Sequence, residues 1–216
     1  MNVLELFSGT ASFSKVARER GHECVTLDNE AKFAPDICMD IMDFEPSALD
    51  GFKPDIIWAS PPCTHFSVAS RGVNWRYNGN KTGFAPISSG AKQSMVMIQK
   101  LLGVIRVISP RYYFVENPRA MLREMPFMKG WPRTTVTYCK YGSPYQKPTD
   151  IWNNCLAWKP HPVCRPKAPC DLSSPQGSHN QRQEWSLSTA QERGIVPRQL
   201  CEEIIIACEV QDDIER

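Results

Sequence analysis

Asp55-Ile56-Ile57-Trp58-Ala59-Ser60-Pro61-Pro62-Cys63 is a short apolar run that two prolines end abruptly, with a cysteine directly after them. The run predicts a buried strand, because its length and its flanking prolines fit a strand better than a helix. In α/β sheets, ligands and reactive groups lie beyond the carboxyl ends of the strands. Cys63, held there by two stiff residues, is therefore a candidate nucleophile.

A unit of strand, small-residue turn, helix and strand stands near the start of the sequence. The predicted elements are a strand at residues 3–7, a helix at 13–20 and a strand at 23–27. Gly21 ends the helix as a C-cap, and the second strand finishes on Asp28. This layout is typical of a nucleoside-cofactor half-site, in which the glycine turn admits the cofactor and the acid accepts both ribose hydroxyls. Because Gly9-x-Ala11 lacks the full three-glycine fingerprint, an ordinary tight turn is the alternative interpretation.

Two later strands also end on acidic residues. A short strand at residues 36–41 is predicted to finish at Asp40, whose carboxylate could accept a bond from an amino group of a bound base. A solvated turn residue is the alternative there. A buried strand at residues 112–115 is followed by Glu116-Asn117-Pro118 at its tip. An acid and a cysteine on neighbouring strand ends would form a site.

The segment 64–92, directly after Cys63, is predicted to be a long loop. It is rich in glycine and asparagine, contains no acidic residue, and interleaves cationic with aromatic side chains. Arg71 and Arg76 are candidates for phosphate contacts, and aromatic neighbours such as Trp75 suit base stacking. A solvated loop with ordinary charge is the alternative, but the position after Cys63 favours a loop that closes over a substrate.

The second half of the chain is predicted to contain two long helices, an antiparallel pair of strands and an irregular segment. The long helices are predicted at 91–108 and 196–207, with a shorter helical stretch at 120–125. The paired strands are predicted at 134–140 and 149–156, and the irregular segment at 160–180. Pro197 fits the first turn of the last helix. Lys140 and Lys147, near the turn of the hairpin, could face the site.

Cysteines and histidines are concentrated in and around the irregular segment. Cys155, His161, Cys164 and Cys170, with His179 further on, could bind zinc and fix this segment. Their spacing contains no Cys-x-x-Cys, so thiols without a metal are the favoured interpretation and zinc the less favoured one.

Composition indicates one domain of ordinary size, since 216 residues suffice for a substantial core. The net charge of +2 neither predicts nor excludes a polyanionic partner. No signal-peptide pattern and no run of about 18 apolar residues occurs, so no membrane association is expected. We therefore expect a cytoplasmic protein in which most of the nine cysteines are reduced.

Four motifs in this order resemble those of the cytosine-C5 DNA methyltransferases, especially the short versions common in phages and prophages. They are Phe7-Ser8-Gly9, Pro61-Pro62-Cys63, Phe114-Val115-Glu116-Asn117 and Tyr141-Gly142-Ser143-Pro144. The resemblance implies an α/β, Rossmann-like, S-adenosylmethionine-dependent methyltransferase fold, with a mostly parallel sheet, helices on both faces and an antiparallel hairpin. It also implies a bacterial or phage-infected cell as the setting. The expected division is a catalytic and cofactor-binding domain at 1–157, a reduced irregular insertion at 158–194, and a C-terminal helix at 195–216 that packs back on the catalytic domain.

The resemblance also implies roles for individual residues. Cys63 matches the nucleophile and Glu116 the acid that recognises the base. The residues expected to border S-adenosylmethionine are Phe7, Ser8, Gly9, Thr10, Ala11, Asp28 at the ribose, Asp40 and Ile41 at the adenine, and Pro61. The residues expected to contact substrate are Pro62 and Asn117 of the family motifs, Arg71 and Arg76 of the basic loop, and Lys140 and Lys147 of the hairpin.

The chemistry of cytosine explains why both a thiol and an acid are needed. C5 is too weakly nucleophilic to take a methyl group unaided, and a thiolate that adds to C6 activates it. An acid at N3 and the exocyclic amine stabilises the charge that the addition places on the ring. In duplex DNA the base must also leave the stack, and the basic loop after Cys63 could close over it.

Departures from the family pattern leave the substrate open. The motif that usually carries two arginines after the Tyr-Gly turn has Lys147 as its one cation, and only residues 158–198 stand where a large target-recognition region is usual. Sequence recognition is then minimal, or a protein partner supplies it, or the substrate is single-stranded DNA, RNA or a free cytosine nucleotide. A catalytically silent nucleic-acid-binding protein of the same fold is a further alternative, whereas the missing third glycine disfavours a nicotinamide dehydrogenase.

Overall fold

The computed structural model describes residues 1–79, 83–144, 146–165 and 194–215, together with Cys170, Thr189 and Glu192. Its main sheet contains β1 (Asn2–Leu6), β2 (Glu23–Asp28), β3 (Ile37–Cys38), β4 (Ile56–Ala59), β7 (Tyr112–Pro118), β8 (Arg133–Thr137) and β9 (Pro148–Asn153), while β5 (Trp75–Tyr77) and β6 (Phe84–Pro86) form a separate hairpin. The helices are α1 (Ser12–Glu19), the single turn α2 (Arg71–Asn74), α3 (Ser89–Ile108) and α4 (Arg198–Glu215).

The strand order is β3-β2-β1-β4-β7-β9-β8. The first five of these strands run parallel, β9 is antiparallel to β7, and β8 is antiparallel to β9. The prediction of a mostly parallel sheet with an antiparallel hairpin is confirmed. The order reverses between β1 and β4, which is the position where open α/β sheets bind ligands.

Alternate side chains of the central strands fill two apolar cores, one on each face of the sheet. In β4, Ile57 belongs to the core under α3, and Trp58 belongs to the core under α1 and α4. The Trp58 ring stacks on Phe13 of α1 with centroids 4.6 Å apart. Because helices cover both faces, β4 is apolar along its whole length, which explains the uninterrupted apolar run in the sequence.

A buried carboxylate in β1 holds the start of α1. Glu5 accepts the backbone N–H of Ser14 at 2.7 Å and that of Phe13 at 3.3 Å. Burial raises the pKa of the Glu5 carboxyl, an effect that these N–H donors oppose. Ala11, at the N-cap position, lies in the left-handed region with φ 53° and provides no side-chain cap. The turn before α1 is therefore fixed from the strand beneath it.

The predicted loop after Cys63 contains short regular elements and buried side chains. It contains α2 and the β5–β6 hairpin, and the rings of Phe66 and Trp75 pack 5.6 Å apart inside the core under α3. Helix α3 begins at Ser89, two residues earlier than predicted, because the Ser88 hydroxyl accepts the N–H of Ala91 at 3.1 Å. Because Trp75 is buried, the prediction that it is available for base stacking is wrong. Residues 80–82 of this segment lie outside the described ranges.

Two predicted strand ends are also wrong. Strand β7 continues beyond residue 115 to Pro118, because β9 pairs with this extension and places Glu116 opposite Ile151. Glu116 thus stands inside a strand rather than beyond its tip. Strand β3 has two residues rather than six, since the Asp36 carboxylate bonds the backbone and hydroxyl of Thr26.

The remaining bounds differ by a few residues. The strands predicted at 134–140 and 149–156 are β8 and β9. The helical stretch predicted at 120–125 is a 3-10 turn at Met121–Glu124. The helix predicted at 196–207 is α4, and Pro197 stands directly before it. Strand β8 ends early because the Tyr138 N–H bonds the carbonyl of Gln146 and the chain enters a 3-10 turn, Tyr138–Tyr141. None of the helices in the described ranges combines the length and apolar character needed to cross a membrane.

Candidate active site

Cys63 lies in the loop that follows β4, at the edge of the sheet where the strand order reverses. Its thiol is half-buried and forms no disulfide. Its carbonyl accepts the N–H groups of Phe66 at 3.0 Å and Ser67 at 2.9 Å, so the chain turns directly after it. The buried Asn117 side chain donates to the Pro61 carbonyl at 3.0 Å. This bond ties the cysteine loop to the strand that carries Glu116.

Glu116 is buried at the same edge of the sheet, on the strand next to β4. Its Oε1 accepts a hydrogen bond from the Tyr138 hydroxyl at 2.8 Å and lies 3.7 Å from the Lys147 ammonium. Burial, reinforced by the Glu116 charge, raises the pKa of the Tyr138 phenol well above its usual value of 10. The phenol therefore stays protonated and acts as the donor. A carboxylate held by a donor and a cation has a defined orientation, as recognition of a base edge requires.

The two hairpin lysines differ in what they contact. Lys147 lies 4.6 Å above the Tyr138 ring and holds a left-handed backbone with φ 29°. Such a conformation costs about 1–3 kcal/mol in a non-glycine residue, and it occurs here in a residue that contacts the buried acid. Lys140 belongs to the 3-10 turn, where its carbonyl accepts a bond from Nδ1 of His161 at 3.0 Å. The structure places the Lys147 ammonium beside Glu116, and a role of either lysine in substrate binding stays a prediction.

The turn between β1 and α1 is open above its glycine. Phe7, Gly9 and Ala11 all have left-handed φ angles, 55°, 48° and 53°, and a Cβ added to Gly9 would meet nothing within 4 Å. The buried Asp28 carboxylate accepts the N–H of Gly9 and that of Glu30, each at 2.8 Å and each on a different oxygen. Both oxygens keep a lone pair for a further donor. An open turn beside a fixed carboxylate fits a cofactor with a ribose.

The other predicted cofactor residues lie around this turn or one strand away. Ser8 donates its N–H to the sheet, and the Thr10 hydroxyl lies 3.1 Å from the next serine hydroxyl. Pro61 is buried at the end of β4. Asp40 is exposed, and its carboxylate caps a turn at 2.8 Å, while Ile41 is buried in the core under α3. Their contacts with a cofactor stay predictions.

The segment after Cys63 is anchored to α3. Nδ1 of His65 lies 2.9 Å from the Ser94 hydroxyl, and the His65 carbonyl accepts the Trp75 indole N–H at 2.6 Å. A Cβ on Gly90 would lie 2.3 Å from Nε2 of His65. A larger residue there would force the ring to move, so the position of the His65 side chain depends on Gly90.

Basic side chains surround a small cleft near this segment. The Arg71 guanidinium lies 4.4 Å from the Phe84 ring centroid, and it lines a cleft of about 370 Å³ with Arg119 and Arg123. Arg123 is paired with a buried aspartate, so Arg71 and Arg119 supply the accessible charge. Arg76 is exposed on β5. The two predicted arginines thus lie on the surface, where phosphates could reach them.

A larger cleft, of about 440 Å³, lies between the 3-10 turn Tyr138–Tyr141 and the start of α4. Its lining includes Tyr138, Lys147, Gly142, Pro197, Arg198 and Gln199. It shares two side chains with the surroundings of Glu116, but the turn above Gly9 and Cys63 itself are not part of it. This cleft therefore adjoins the candidate site without containing it, and its volume is in the range of small-ligand sites.

The structure does not bring the four predicted zinc ligands together. Cys155 and His161 contact side chains of α4 instead, a glutamine at 3.6 Å and a glutamate at 3.2 Å. The sulfurs of Cys164 and Cys170 lie 3.6 Å apart, and the third sulfur beside them belongs to Cys139. Of the four candidates for zinc binding, Cys155 and His161 thus lie outside this cluster, and His179 lies outside the described residues.

Sequence comparisons identify the family to which the chain belongs. The family model described as C-5 cytosine-specific DNA methylase matches residues 1–126. A protein of Frog virus 3 (isolate Goorha), named Probable DNA (cytosine-5)-methyltransferase, is 30% identical over 175 residues, which cover 79% of this chain and 78% of that protein. The chain belongs to the C-5 cytosine-specific DNA methylase family.

Solved structures share the fold at low sequence identity. A prophage-encoded E. coli protein described as a DNA modification methyltransferase matches with TM-score 0.51 and 14% identity, over 76% of this chain and 51% of its own. The Entamoeba histolytica methyltransferase EhMeth matches with TM-score 0.50 and 14% identity, over 74% of this chain and 54% of its own. The chain thus spans about half the length of these structures, and the likeness concerns the fold alone.

Two residues of the site neighbourhood were not predicted from the sequence. Tyr138 has no motif that marks it, because its role depends on a contact with a strand 22 residues away. Cys139 adjoins it, and its neighbours Cys164 and Cys170 come from a distant segment. A local spacing rule such as Cys-x-x-Cys finds neither, since both contacts are set by the tertiary fold.

Proposed function

We propose that this protein transfers a methyl group from S-adenosylmethionine to C5 of cytosine in DNA, with Cys63 as the nucleophile. The observation that carries this proposal is the bond from Asn117 to the Pro61 carbonyl, which joins the cysteine loop to the strand of Glu116. A thiol and a carboxylate at one sheet edge are what C6 addition and base recognition need. Family membership supports the same reaction.

In this mechanism the Cys63 thiolate adds to C6 of cytosine, and the electron pair of the C5–C6 double bond moves toward C5. Glu116 would accept a bond from the exocyclic amine and, in its protonated form, share its proton with N3 as negative charge develops on the ring. The Tyr138 hydroxyl donates to Oε1 of Glu116 and the Lys147 ammonium lies 3.7 Å from the same oxygen, so both hold this side chain in place. After methylation of C5, with S-adenosylhomocysteine as the leaving group, a base takes the C5 proton, and the freed electron pair re-forms the C5–C6 double bond as the thiolate leaves.

Asp28 and the turn around Gly9 would hold the ribose and the adjoining part of S-adenosylmethionine. When bound, this cofactor supplies the electrophilic methyl group that the activated C5 accepts. Pro61 and Pro62 would keep Cys63 at a fixed distance from it, because their φ angles are restricted.

The proposed substrate is DNA, and the exposed arginines near Cys63 support it. Arg71, Arg76 and Arg119 lie on the surface where a backbone could follow the segment after Cys63. Because a base in duplex DNA must be flipped out before C6 can be attacked, this segment would close behind it. The short stretch at 158–194 favours limited sequence recognition, or recognition supplied by a protein partner.

The test is incorporation of labelled methyl groups from S-adenosylmethionine into duplex DNA, single-stranded DNA, RNA and cytosine nucleotides. We expect label at C5 of DNA cytosine with the wild type, none with Cys63→Ser, and wild-type levels with Cys38→Ser, which replaces an exposed thiol. DNA carrying 5-fluorocytosine should trap a covalent adduct with the wild type only.

Three other results of this labelling experiment would each overturn a different part of the proposal. Undiminished labelling by Cys63→Ser would refute Cys63 as the nucleophile. Labelling of RNA or nucleotides alone would replace DNA as the substrate. Binding of DNA without any labelling would indicate a silent binding protein.

A further inference from the structure

Three cysteine sulfurs meet at a place outside the proposed active site. Cys139 belongs to the 3-10 turn Tyr138–Tyr141, and Cys164 and Cys170 follow the last strand of the sheet. All three sulfurs lie within 4.8 Å of one another, and those of Cys164 and Cys170 are 3.6 Å apart. In the described part of the chain this is the one group of three such ligands.

The distance between Cys164 and Cys170 is close to that in a metal-thiolate site, and the third sulfur is near enough to join them. Zinc binds thiolates at about 2.3 Å in a tetrahedron, which places neighbouring sulfurs about 3.8 Å apart. Three sulfurs at such distances form one face of the tetrahedron, and a fourth ligand completes it. Soft sulfur ligands select zinc over magnesium or calcium.

Two of the three cysteines are buried, and hydrogen bonds fix the backbone of one of them. Cys139 and Cys164 are 6% and 4% exposed. The Cys164 N–H donates to the Thr137 hydroxyl at 2.8 Å, and its carbonyl accepts a bond from the Gln146 side chain at 3.0 Å. The backbone of Cys164 is thus fixed beside the end of β8, so binding would need little rearrangement.

Metal binding at this cluster would be accompanied by loss of the thiol protons. Clustered thiols oppose each other's ionisation, whereas a divalent ion reverses this effect and binds all three as thiolates, with release of their protons.

We propose that Cys139, Cys164 and Cys170 bind a structural zinc ion that joins the 3-10 turn after β8 to the segment that follows β9. Cys139 directly follows Tyr138, the donor to Glu116, so the ion fixes the chain next to the base-recognising acid. This site is distinct from the methyl-transfer chemistry and does not depend on it.

The test measures metal content and metal-dependent stability of the full chain, purified under reducing conditions. We expect about one zinc per chain by elemental analysis, and a thiolate-to-metal charge-transfer band after replacement by Co²⁺. Zinc should be lost in Cys139→Ser and in Cys164→Ser, and it should remain in Cys155→Ser, a buried cysteine outside the cluster.

A second measurement uses the wild type alone, in case a serine variant does not fold. After chelation, returning zinc to about a hundredfold above its Kd should raise Tm by about 5–10 °C. Absence of both bound zinc and this shift would overturn the proposal. Retention of zinc by Cys139→Ser, its loss from Cys155→Ser, or a Cys164–Cys170 disulfide found by peptide mapping would also overturn it. None of these results bears on methyl transfer by Cys63.

Discussion

Replacing Gly90 by alanine tests whether the segment after Cys63 depends on α3. A Cβ at this position would lie 2.3 Å from Nε2 and 2.7 Å from Cε1 of His65, far inside contact distance. The ring must therefore move. Its movement breaks the contact of Nδ1 with the Ser94 hydroxyl, and it displaces a residue two positions after the proposed nucleophile.

The size of the effect follows from these contacts. Loss of one hydrogen bond costs about 0.5–1.5 kcal/mol, and an off-rotamer side chain costs about 0.5–1.5 kcal/mol. Together they oppose the usual gain of about 0.5–1 kcal/mol when alanine replaces glycine in a helix. Gly103, in the same helix, has nothing within 4 Å of an added Cβ, so Gly103→Ala should show the gain alone. We expect the two variants to differ by about 1–3 kcal/mol in the free energy of unfolding.

Urea unfolding and thermal scans measure this difference, which corresponds to about 2–12 °C in Tm. Methyl transfer should fall in Gly90→Ala and stay unchanged in Gly103→Ala. Removing the ring with His65→Ala should make Gly90→Ala harmless, which gives a coupling energy of about 1–3 kcal/mol in a double-mutant cycle. If Gly90→Ala stabilised the protein as much as Gly103→Ala and left activity intact, the anchoring of this segment by α3 would be refuted.

Three further substitutions test other contacts. Asn117→Ala leaves a buried loop carbonyl without its donor, so the free energy of unfolding should fall by about 1–3 kcal/mol and methyl transfer should fall with it. Lys147→Gln removes the cation 3.7 Å from Glu116, and the initial rate of methyl transfer should fall about tenfold or more, with calorimetric cofactor affinity changed less. Glu209→Gln removes a carboxyl whose pKa is lowered from 4.5 mainly by a hydrogen bond from Arg20. The stabilisation from a lowered pKa is present above pH 4.5 and is lost as the pH falls, so Tm should decline less steeply in this variant between about pH 5 and 3.

Matched variants separate these effects from general destabilisation. Asn154→Ala is the control for Asn117→Ala, because the Asn154 side chain forms two hydrogen bonds to the backbone at the opposite end of β7. It should destabilise the protein without slowing methyl transfer by the folded fraction. Lys129→Gln replaces an exposed lysine and should leave the rate unchanged. If Asn117→Ala and Asn154→Ala lost equal rate, or Lys147→Gln and Lys129→Gln did, the prediction for that pair would be contradicted. The prediction for Glu209→Gln fails if its Tm declines with falling pH as steeply as that of the wild type.

The parts of the fold that local patterns determine could be predicted from the sequence. Strand β4 is an apolar run because both of its faces are covered, and Asp28 marks the end of β2 because the apolar pattern stops there. The end of β7 could not be predicted in this way. Glu116 is inside the strand because β9, more than 30 residues later, pairs with it.

Aromatic and thiol side chains show a second limit of local patterns. Phe66 and Trp75 lie among glycines and cations, a composition that suits base stacking as well as core packing, and only the tertiary fold places them inside. Cys139 likewise meets Cys164 through the fold and not through a spacing. Residues with two compatible environments, or with partners far along the chain, are those that sequence patterns assign incorrectly.

The packing of α4 against α1 has a consequence for synthesis of the chain. Phe13, Val16 and Ala17 belong to the core that is completed by α4, and Glu209 binds Arg20 at the end of α1. Helix α4 is translated some 180 residues after α1, which at about 5–20 residues per second is a delay of about 10–40 s. During this interval the apolar face of α1 lacks its cover.

A nascent chain that exposes such a face is prone to aggregation and is a substrate for chaperones. Contacts between residues so far apart in sequence also slow folding, because a long loop must close before they form. Yield during expression should therefore depend on temperature and translation rate more than the stability of the finished protein would suggest.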